Sequence, residues 1–393
     1  MISRLRLALV LGSVTALGPL SIDMYLPSLP TLEAELAASP ASVQHTLAAY
    51  FFGMALGQLF YGPLSDRLGR KLPLAAGLGI FLLASVGCAL AWSVQSLIAL
   101  RFVQALGGCA GMVIARATIR DLYVGADAAR MFSAMVLVMG LAPILAPLAG
   151  GYVLVHGGWR TIFWVLAAFG TVALVATLAA LPETLERSTR RTGSLGDALG
   201  RIRSVARDAR FLVPGMLLAL PFAAVFAYIS SAPFVLIQYF GVRVEAFGWF
   251  FGANALGLIA GSQMNSRLLR RARSAVILRK AIRLQTVMAL VLLATATTGA
   301  GGLPGVVLPL FFVVASIGFI APNASAIAMT PFGADAGTAS ALLETCQALA
   351  GVVATVAVGF MPGSGAVPMA AVIAACTVLA WVIDTFGRRR RSV

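Results

Sequence analysis

Long apolar runs, separated by short polar or charged connections, make up most of this chain. Residues 43–61 contain no Asp, Glu, Lys or Arg, and neither do residues 72–91. Each run is close to the ~20 apolar residues that a helix needs to cross the hydrocarbon core of a bilayer. The connection between them, GPLSDRLGRK at 62–71, carries one acidic and three basic side chains. We therefore expect two membrane spans joined by a tight charged turn.

The same alternation continues along the whole chain and predicts twelve spans. The fold class that we expect is an all-α membrane protein with twelve helices in two pseudo-symmetric bundles of six. The predicted domains are an N-terminal bundle over 1–185, a cytoplasmic linker with a surface helix over 186–210, and a C-terminal bundle over 211–393. The predicted spans are 7–30, 43–61, 72–92, 97–122, 131–155, 161–181, 212–239, 246–264, 275–298, 303–329, 337–361 and 367–386.

Two short repeats indicate that the halves are related to each other. The sequence SDRLGRK follows the second span at 65–71, and NSRLLRR follows the eighth span at 265–271. The sequence GADA occurs at the entry to the fifth span, at 125–128, and again at the entry to the eleventh, at 333–336. Matching positions in two six-span halves are typical of a duplicated transporter.

Composition supports a membrane protein, and the placement of charge predicts its orientation. The chain of 393 residues is 60% hydrophobic and only 11% charged, whereas soluble domains are about a quarter charged. The net charge of +15 would suggest nucleic-acid binding in a soluble protein, but here the basic residues cluster in short connections, as the positive-inside rule requires. The turn at 62–71, seven arginines in 186–210 and the tail at 388–391 place both termini in the cytoplasm. We expect a multi-pass protein of the bacterial inner membrane that binds no nucleic acid.

Several kinds of chemistry have no signature in this sequence. The four cysteines lie inside apolar runs without paired spacing, which indicates packing residues and implies neither disulfides nor a metal site. No cofactor is expected, and no phosphate-binding GxxxxGK[ST] sequence occurs. A membrane enzyme would need a catalytic constellation and a channel would need charge rings or pore-lining repeats, and neither pattern is visible. The related halves described above instead favour a transporter.

Several motifs, in the right order along nearly the whole chain, resemble the major facilitator superfamily. GPLSDRLGRK at 62–71 matches the loop motif of that family, and RFVQALG at 101–107 is similar to its fourth-span motif, with Ala105 at a position usually occupied by glycine. The fifth span resembles the antiporter motif through Pro143, Pro147, Gly150 and Gly151. GWRTIF at 158–163 and LPETL at 181–185 bracket the sixth span as in drug:proton antiporters. DMYLP at 23–27 and GTASA at 337–341 bring the chain closest to bicyclomycin/chloramphenicol-resistance (Bcr/CflA-type) exporters.

This resemblance implies a proton-coupled multidrug exporter that works by alternating access and functions as a monomer. It also implies a gate in which Asp66 lies at the cytoplasmic amino end of the eleventh span, where a helix dipole favours an anion. Arg67 and Arg70 would hold the same latch, and Gly62 and Gly69 would allow the tight turn.

Four charged residues inside spans are candidates for proton coupling. A carboxylate in hydrocarbon is costly unless it is protonated, paired or facing water, which makes Asp23 the first candidate. Arg101 begins at a similar depth in the fourth span, and we expect the two to communicate across a cavity; an arginine that orders a helix kink is the alternative. Arg116 and Glu344 match in depth in opposite halves, so an ion pair at an inner gate is one hypothesis. An independent proton-carrying role for Glu344, or hydrogen bonding within its own half, is another.

Aromatic and amide side chains are the candidates for substrate contact. A large cavity with few polar groups suits lipophilic drugs, such as amphenicol- or bicyclomycin-like antibiotics. The alternative is a transporter of an endogenous sugar, amino acid or small peptide, which would require more polar cavity residues. The predicted substrate-binding residues are Asp23, Tyr25, Tyr50, Phe51, Phe222, Phe226, Tyr228, Asn254 and Asn323.

Overall fold

The computed structural model describes residues 4–185, 195–333, 335–363 and 365–389. Within these ranges every regular element is helical and no strand occurs. Residues 186–194 of the predicted linker, and Arg390 and Arg391 of the basic tail, lie outside the described residues. The α-helices are α1 (Arg4–Asp23), α2 (Leu29–Glu35), α3 (Pro40–Leu68), α4 (Lys71–Ala89), α5 (Val94–Leu122), α6 (Gly125–Ala180), α7 (Leu195–Arg207), α8 (Ala209–Pro233), α9 (Val244–Leu268), α10 (Ser274–Thr298), α11 (Gly302–Met329), α12 (Ala336–Phe360) and α13 (Val367–Arg389).

Ten stretches of the described chain are long and apolar enough to cross a membrane. One of them, Gly140–Ala180, holds two helices, because α6 is interrupted at Gly158, whose φ of 74° and ψ of 172° are not helical. The helix α10 is not among the ten, but its 25 residues would extend about 37 Å, more than the hydrocarbon thickness. With α10 and the two arms of α6 counted separately, the described chain has twelve membrane-length helices, and the predicted fold class is confirmed.

Contacts between the helices divide the chain into two compact units. Unit 1 comprises Met1–Ala38 and Ala49–Ala198, and unit 2 comprises Ser39–Ala48 and Leu199–Val393. In unit 1, α1 packs against α5 and α6, and α4 packs against the same two helices. In unit 2, α11 packs against α8, α9 and α10, while α8 also contacts α12 and α13. The opening residues of α3 therefore group with unit 2, and the rest of α3 groups with unit 1.

The helix α5 begins at a reciprocal capping interaction. The Ser93 hydroxyl accepts a hydrogen bond from the Ser96 amide, and the Ser96 hydroxyl accepts one from the Ser93 amide, both at 3.2 Å. Such a pair satisfies two amides that the first turn of a helix leaves without partners. The cap fixes where α5 starts and therefore how deep its polar residues lie.

The predicted surface helix is α7, and its apolar face is covered by protein. Val205 is buried, and Ile202 and Ala206 pack against the hydrophobic core of unit 2. Arg203 and Arg207 are exposed on other faces of the helix. The apolar side of α7 packs on the core of unit 2, and its predicted position at the membrane surface stays a prediction. The helix α8 begins directly after α7. Asp208 caps it by accepting a hydrogen bond from the Arg210 amide at 2.8 Å.

The turn between α3 and α4 is shorter than the sequence analysis expected. The helix α3 continues through Gly62 and Pro63 as far as Leu68, so Gly62 does not form the turn and that expectation was wrong. Only Gly69 takes a left-handed conformation, with φ at 95°, which glycine adopts without steric cost. The ion pair between Asp66 and Arg70, four residues apart at 2.7 Å, supports this last turn of α3.

Candidate functional site

Arg101 is the largest charged side chain that is fully enclosed in unit 1. It lies two turns into α5 and has no solvent-exposed surface. Its Nη1 donates to Gln104 Oε1 at 2.6 Å, and Gln104 Nε2 donates in turn to Ser85 Oγ of α4 at 2.8 Å. These two hydrogen bonds, from Arg101 to Gln104 and from Gln104 to Ser85, fix one edge of the guanidinium. Nε and Nη2, which are both buried, have no hydrogen-bond partner among the described residues.

Aromatic rings surround the faces of this guanidinium. Its carbon lies 4.3 Å from the Tyr50 ring centroid, 4.6 Å from that of Tyr25 and 5.8 Å from that of Phe163. Both tyrosines are fully buried. The electron-rich face of an aromatic ring attracts a desolvated cation, so the rings replace part of the hydration that burial removes. We refer to Arg101, Tyr25, Tyr50 and Phe163 as the arginine cage.

Asp23 is the last residue of α1 and does not pair with the arginine cage. Within the described residues, neither a hydrogen bond nor an ion pair joins its carboxylate to Arg101. The side chain is nevertheless buried, with a relative exposure of 5%, so it does not face the lipid side of unit 1. The helix ends here because the sequence that follows, with prolines at 27 and 30, forms a 3₁₀ turn over Leu26–Ser28 and then the short α2.

The predicted antiporter motif lies beside this break in the helix. Gly150 of α6 approaches the backbone of Met24 so closely that a Cβ at Gly150 would overlap the Met24 carbonyl. Pro147 and Gly151 are also buried, and Pro143 is half-buried. A glycine in a membrane helix allows two backbones to meet in this way. The motif therefore positions the segment that carries Asp23 and Tyr25.

A second polar cluster lies where α3, α4, α5 and the end of α6 meet in unit 1. Arg70 Nη1 is 2.7 Å from Asp66 Oδ1 and 2.8 Å from Ser65 Oγ. Its other edge is bound by both oxygens of Asp121, at 2.7 Å from Nε and 3.3 Å from Nη2. Arg70 is buried, and Thr184 donates a further hydrogen bond to Asp121. Bidentate pairing of this kind is among the strongest that side chains form. We call this group the arginine turn cluster.

Electrostatics keep Arg70 charged. Burial alone would lower the pKa of Arg70, but the hydrogen bonds and charges of Asp121 and Asp66 outweigh that effect and raise it. An arginine is already protonated at every working pH, so the cluster acts as a fixed link rather than as a proton carrier.

The ends of α4 and α6 cap each other across this turn. The Glu183 carboxylate accepts hydrogen bonds from the amides of Arg70, at 2.7 Å, and Lys71, at 3.2 Å. In the other direction, Lys71 Nζ donates to the Leu178 carbonyl in the last turn of α6 at 2.8 Å. An anion at a helix amino end and a cation at a carboxyl end both interact favourably with the helix dipoles.

The polar substrate residues predicted for unit 2, Tyr228, Asn254 and Asn323, are hydrogen-bonded within the unit. Asn254 Nδ2 donates to the Tyr228 hydroxyl at 2.8 Å, and the Tyr228 ring stacks on Phe251 with centroids 5.5 Å apart. Asn323 Nδ2 donates to Asn265 Oδ1 at 2.6 Å. All four of these polar and aromatic partners, Tyr228, Asn254, Asn265 and Asn323, are buried. The sequence analysis did not include Asn265, which its position in the NSRLLRR repeat could have indicated.

The remaining predicted residues are dispersed through the two units. Phe51 is buried, Phe222 and Phe226 are half-buried with ring centroids 6.3 Å apart, and Arg67 is exposed. Arg116 on α5 in unit 1 and Glu344 on α12 in unit 2 are both half-buried, and both have interactions within the structure. The ion pair between them stays a prediction.

The structure adds residues that sequence reasoning did not assign. Asp121 and Glu183 join the arginine turn cluster from 51 and 113 residues away. A further group lies at the α6 break, where Trp159 Nε1 donates to Glu35 Oε2 at 2.7 Å and Arg160 stacks on Trp159 at 4.1 Å. Glu183 lies in the motif LPETL, and Trp159 and Arg160 lie in GWRTIF. The motifs therefore marked these three residues, but they did not indicate which side chains the residues contact.

The twelve membrane-length helices of the described residues define a multi-pass membrane protein, and the comparisons below point to a transporter. The chain belongs to the Major Facilitator Superfamily, whose family model matches residues 11–355.

Named relatives and a solved structure agree with this assignment. The chain is 33% identical to the bicyclomycin resistance protein homolog of Haemophilus influenzae, covering 94% of this chain and 93% of that protein. It is 29% identical to a chloramphenicol resistance protein of Pseudomonas aeruginosa, covering 95% and 88% respectively. The crystal structure of a D-xylose-proton symporter superposes with a TM-score of 0.77 at 14% identity, covering 96% of this chain and 97% of that chain. That likeness concerns the fold alone.

Proposed function

We propose that this transporter exports small lipophilic antibiotics in exchange for protons, by alternating access, in the bacterial inner membrane with both termini in the cytoplasm. The observation that carries the proposal is the buried carboxylate of Asp23. It lies at the end of a membrane helix, has a relative exposure of 5%, and adjoins the residues packed against Gly150 of the antiporter motif.

The chemistry of a buried acid suits proton coupling. A carboxylate at this depth is stable when it is protonated, paired or in contact with water. No hydrogen bond or ion pair holds it among the residues that the structure describes. A proton that binds from one side of the membrane and leaves to the other would remove and restore this charge in each cycle. Arg101 on α5 carries a permanent positive charge in the same unit, but it forms no ion pair with Asp23 among the described residues.

The arginine cage supports an aromatic substrate site in unit 1. Tyr25 follows Asp23 by two residues and covers one face of Arg101, so a substrate that displaces the ring would also alter the environment of the acid. The buried Nε and Nη2 atoms of Arg101 without described partners are donors for a carbonyl or hydroxyl oxygen on the substrate. One relative is a bicyclomycin resistance protein homolog and another is a chloramphenicol resistance protein. We propose bicyclomycin and chloramphenicol as candidate substrates.

Transport by purified protein in proteoliposomes tests this function. Accumulation of chloramphenicol and of bicyclomycin is measured with and without an imposed proton gradient, in wild type, Asp23→Asn and the control Glu245→Gln. Glu245 is an exposed acid at the start of α9. We expect gradient-dependent accumulation in wild type and in the control, and its loss in Asp23→Asn. Accumulation that does not respond to the gradient would exclude antiport; an unchanged rate in Asp23→Asn would exclude Asp23 as the carrier.

A further inference from the structure

The basic segment between α9 and α10 borders an apolar groove on unit 2. Residues 267–283 contain seven basic side chains, Arg267, Arg270, Arg271, Arg273, Arg279, Lys280 and Arg283, and no acidic one. The whole sequence from 246 to 334 contains no Asp or Glu. Among the described residues, none of the seven forms an ion pair. The segment is therefore a concentrated positive charge without a partner in its own unit.

The groove has a volume of about 230 Å³ and is lined almost wholly by apolar side chains. Leu268 comes from the end of α9, Val276, Ile277 and Leu284 come from α10, and Phe319 comes from α11. Leu268 and Leu284 are 40% and 44% exposed. Apolar surface that is open in this way at a membrane helix is available to a hydrocarbon chain.

One charged residue lines the groove, and a second borders the groove from the loop before α10. Lys280 lines the groove between Val276 and Leu284, one turn from each along α10. Arg273 directly precedes α10, has an extended backbone and follows the lining residue Ala272. Its carbonyl accepts hydrogen bonds from the amides of Val276 and Ile277, at 2.9 and 3.3 Å, so it borders the groove from the loop side. Both basic side chains are exposed. One cation thus lies along the apolar lining, and the other borders it at the boundary between loop and helix.

We propose that this groove binds an anionic phospholipid, with its phosphate at Lys280 and Arg273 and an acyl chain along Val276, Leu284 and Phe319. The combination of an apolar wall and a basic rim between membrane helices matches the chemistry of such a lipid. A soluble phosphate would use only the rim. A zwitterionic lipid would fill the groove but would gain less from two cations. The proposal does not rest on the transport substrate or on proton coupling.

Native mass spectrometry of delipidated protein, titrated separately with cardiolipin, phosphatidylglycerol and phosphatidylcholine, tests the assignment. Lys280→Gln and Arg273→Gln each remove one charge, and we expect each to weaken binding of the two anionic lipids about fivefold. Arg243→Gln is the control, because Arg243 is an exposed cation at the other end of α9, and it should change binding less than twofold. Each variant is first checked for an unaltered thermal unfolding temperature.

A groove-filling variant separates a seated lipid from charge attraction alone. Ala272, in the loop between α9 and α10, also lines the groove, and Ala272→Trp would occupy it without changing any charge. We expect this variant to lose anionic-lipid binding while both cations remain. Equal binding of cardiolipin and phosphatidylcholine by wild type would overturn the proposal. So would unaltered lipid binding in Ala272→Trp, which would leave only electrostatic attraction to the basic segment.

Discussion

A full positive charge enclosed by aromatic rings is the most unusual feature of this protein at the scale of single residues. Arg101 has no exposed surface, one hydrogen-bonded edge and two ring faces within 5 Å. Removing a guanidinium from water is costly, so the rings and Gln104 together must supply much of the compensation. The cage is therefore a structural requirement of unit 1 as well as a candidate site.

Two substitutions at Tyr50 separate the ring from its hydroxyl. Tyr50→Leu removes the ring face that lies 4.3 Å from Arg101, and we expect the free energy of unfolding to fall by about 2 kcal/mol or more. Tyr50→Phe keeps the ring and removes only the buried hydroxyl, which interacts at most weakly with Ser21. It should leave stability within about 0.5 kcal/mol. Unfolding in mixed detergent micelles measures both.

Transport by the same two variants tests whether the hydroxyl has a function. A Tyr50→Phe protein that is as stable as wild type but transports chloramphenicol more slowly would assign the hydroxyl to substrate contact. Equal destabilisation by Tyr50→Phe and Tyr50→Leu would contradict the ring-face explanation of the cage.

The pair formed by Arg70 and Asp121 allows a quantitative test at the residue scale. A double-mutant cycle with Arg70→Ala and Asp121→Ala should give a coupling energy of about 1–3 kcal/mol, because the pair is bidentate and Arg70 is buried. The matched cycle uses Arg130 and Asp127, an exposed pair one turn apart at the start of α6, and should give less than about 1 kcal/mol. Similar coupling in the two cycles would show that burial of Arg70 contributes nothing.

At the scale of helices, we propose that the predicted antiporter motif acts through contact between backbones. Gly150→Ala would place a methyl group against the Met24 carbonyl, so α6 and α1 would have to separate. We expect a loss of about 1–3 kcal/mol in stability and reduced transport, since Asp23 and Tyr25 lie on the displaced segment. Gly79→Ala in α4 is the control, because nothing lies within 4 Å of its added Cβ and alanine favours a helix. A Gly150→Ala protein as stable and active as Gly79→Ala would contradict this role of the motif.

The helices themselves were predictable because the bilayer imposes a simple rule on sequence. Runs without charge at 43–61 and 72–91 gave α3 and α4, and the positive φ of Gly69 lies in the charged turn between them. The end of α3 was less predictable: a helix can continue past a bilayer boundary when its side chains find partners, as Asp66 and Arg70 do at 2.7 Å. Composition alone does not indicate such pairs.

Partners within the candidate sites were harder to predict than their members. Gln104 follows Arg101 by three residues, so its contact could be expected from helical spacing. Tyr25, Tyr50 and Phe163 come from three other parts of the chain, and spacing does not say which helices are neighbours. The same reason explains why Asp121 and Glu183 were not assigned to Arg70. Asp23 and Arg101 share a similar depth, but depth does not determine the direction in which each side chain points.

At the scale of the whole molecule, the fold and the family are those of a transporter, and we propose that a proton gradient drives it. The described residues contain twelve membrane-length helices, and the match to the Major Facilitator Superfamily over residues 11–355 makes the chain a transporter. The buried acid of Asp23 and the cage around Arg101 are the features through which we propose that proton movement and drug movement are linked. Linkage is reciprocal, so a drug gradient must be able to move protons if a proton gradient moves drug.

The most direct test is therefore to drive the cycle in reverse. A chloramphenicol gradient is imposed across proteoliposomes that contain a trapped pH-sensitive dye and no initial pH difference. The account predicts proton movement opposite to the drug in wild type and in Glu245→Gln, and none above protein-free liposomes in Asp23→Asn. Chloramphenicol transport by wild type without any change in internal pH, or the same pH change in Asp23→Asn, would contradict it.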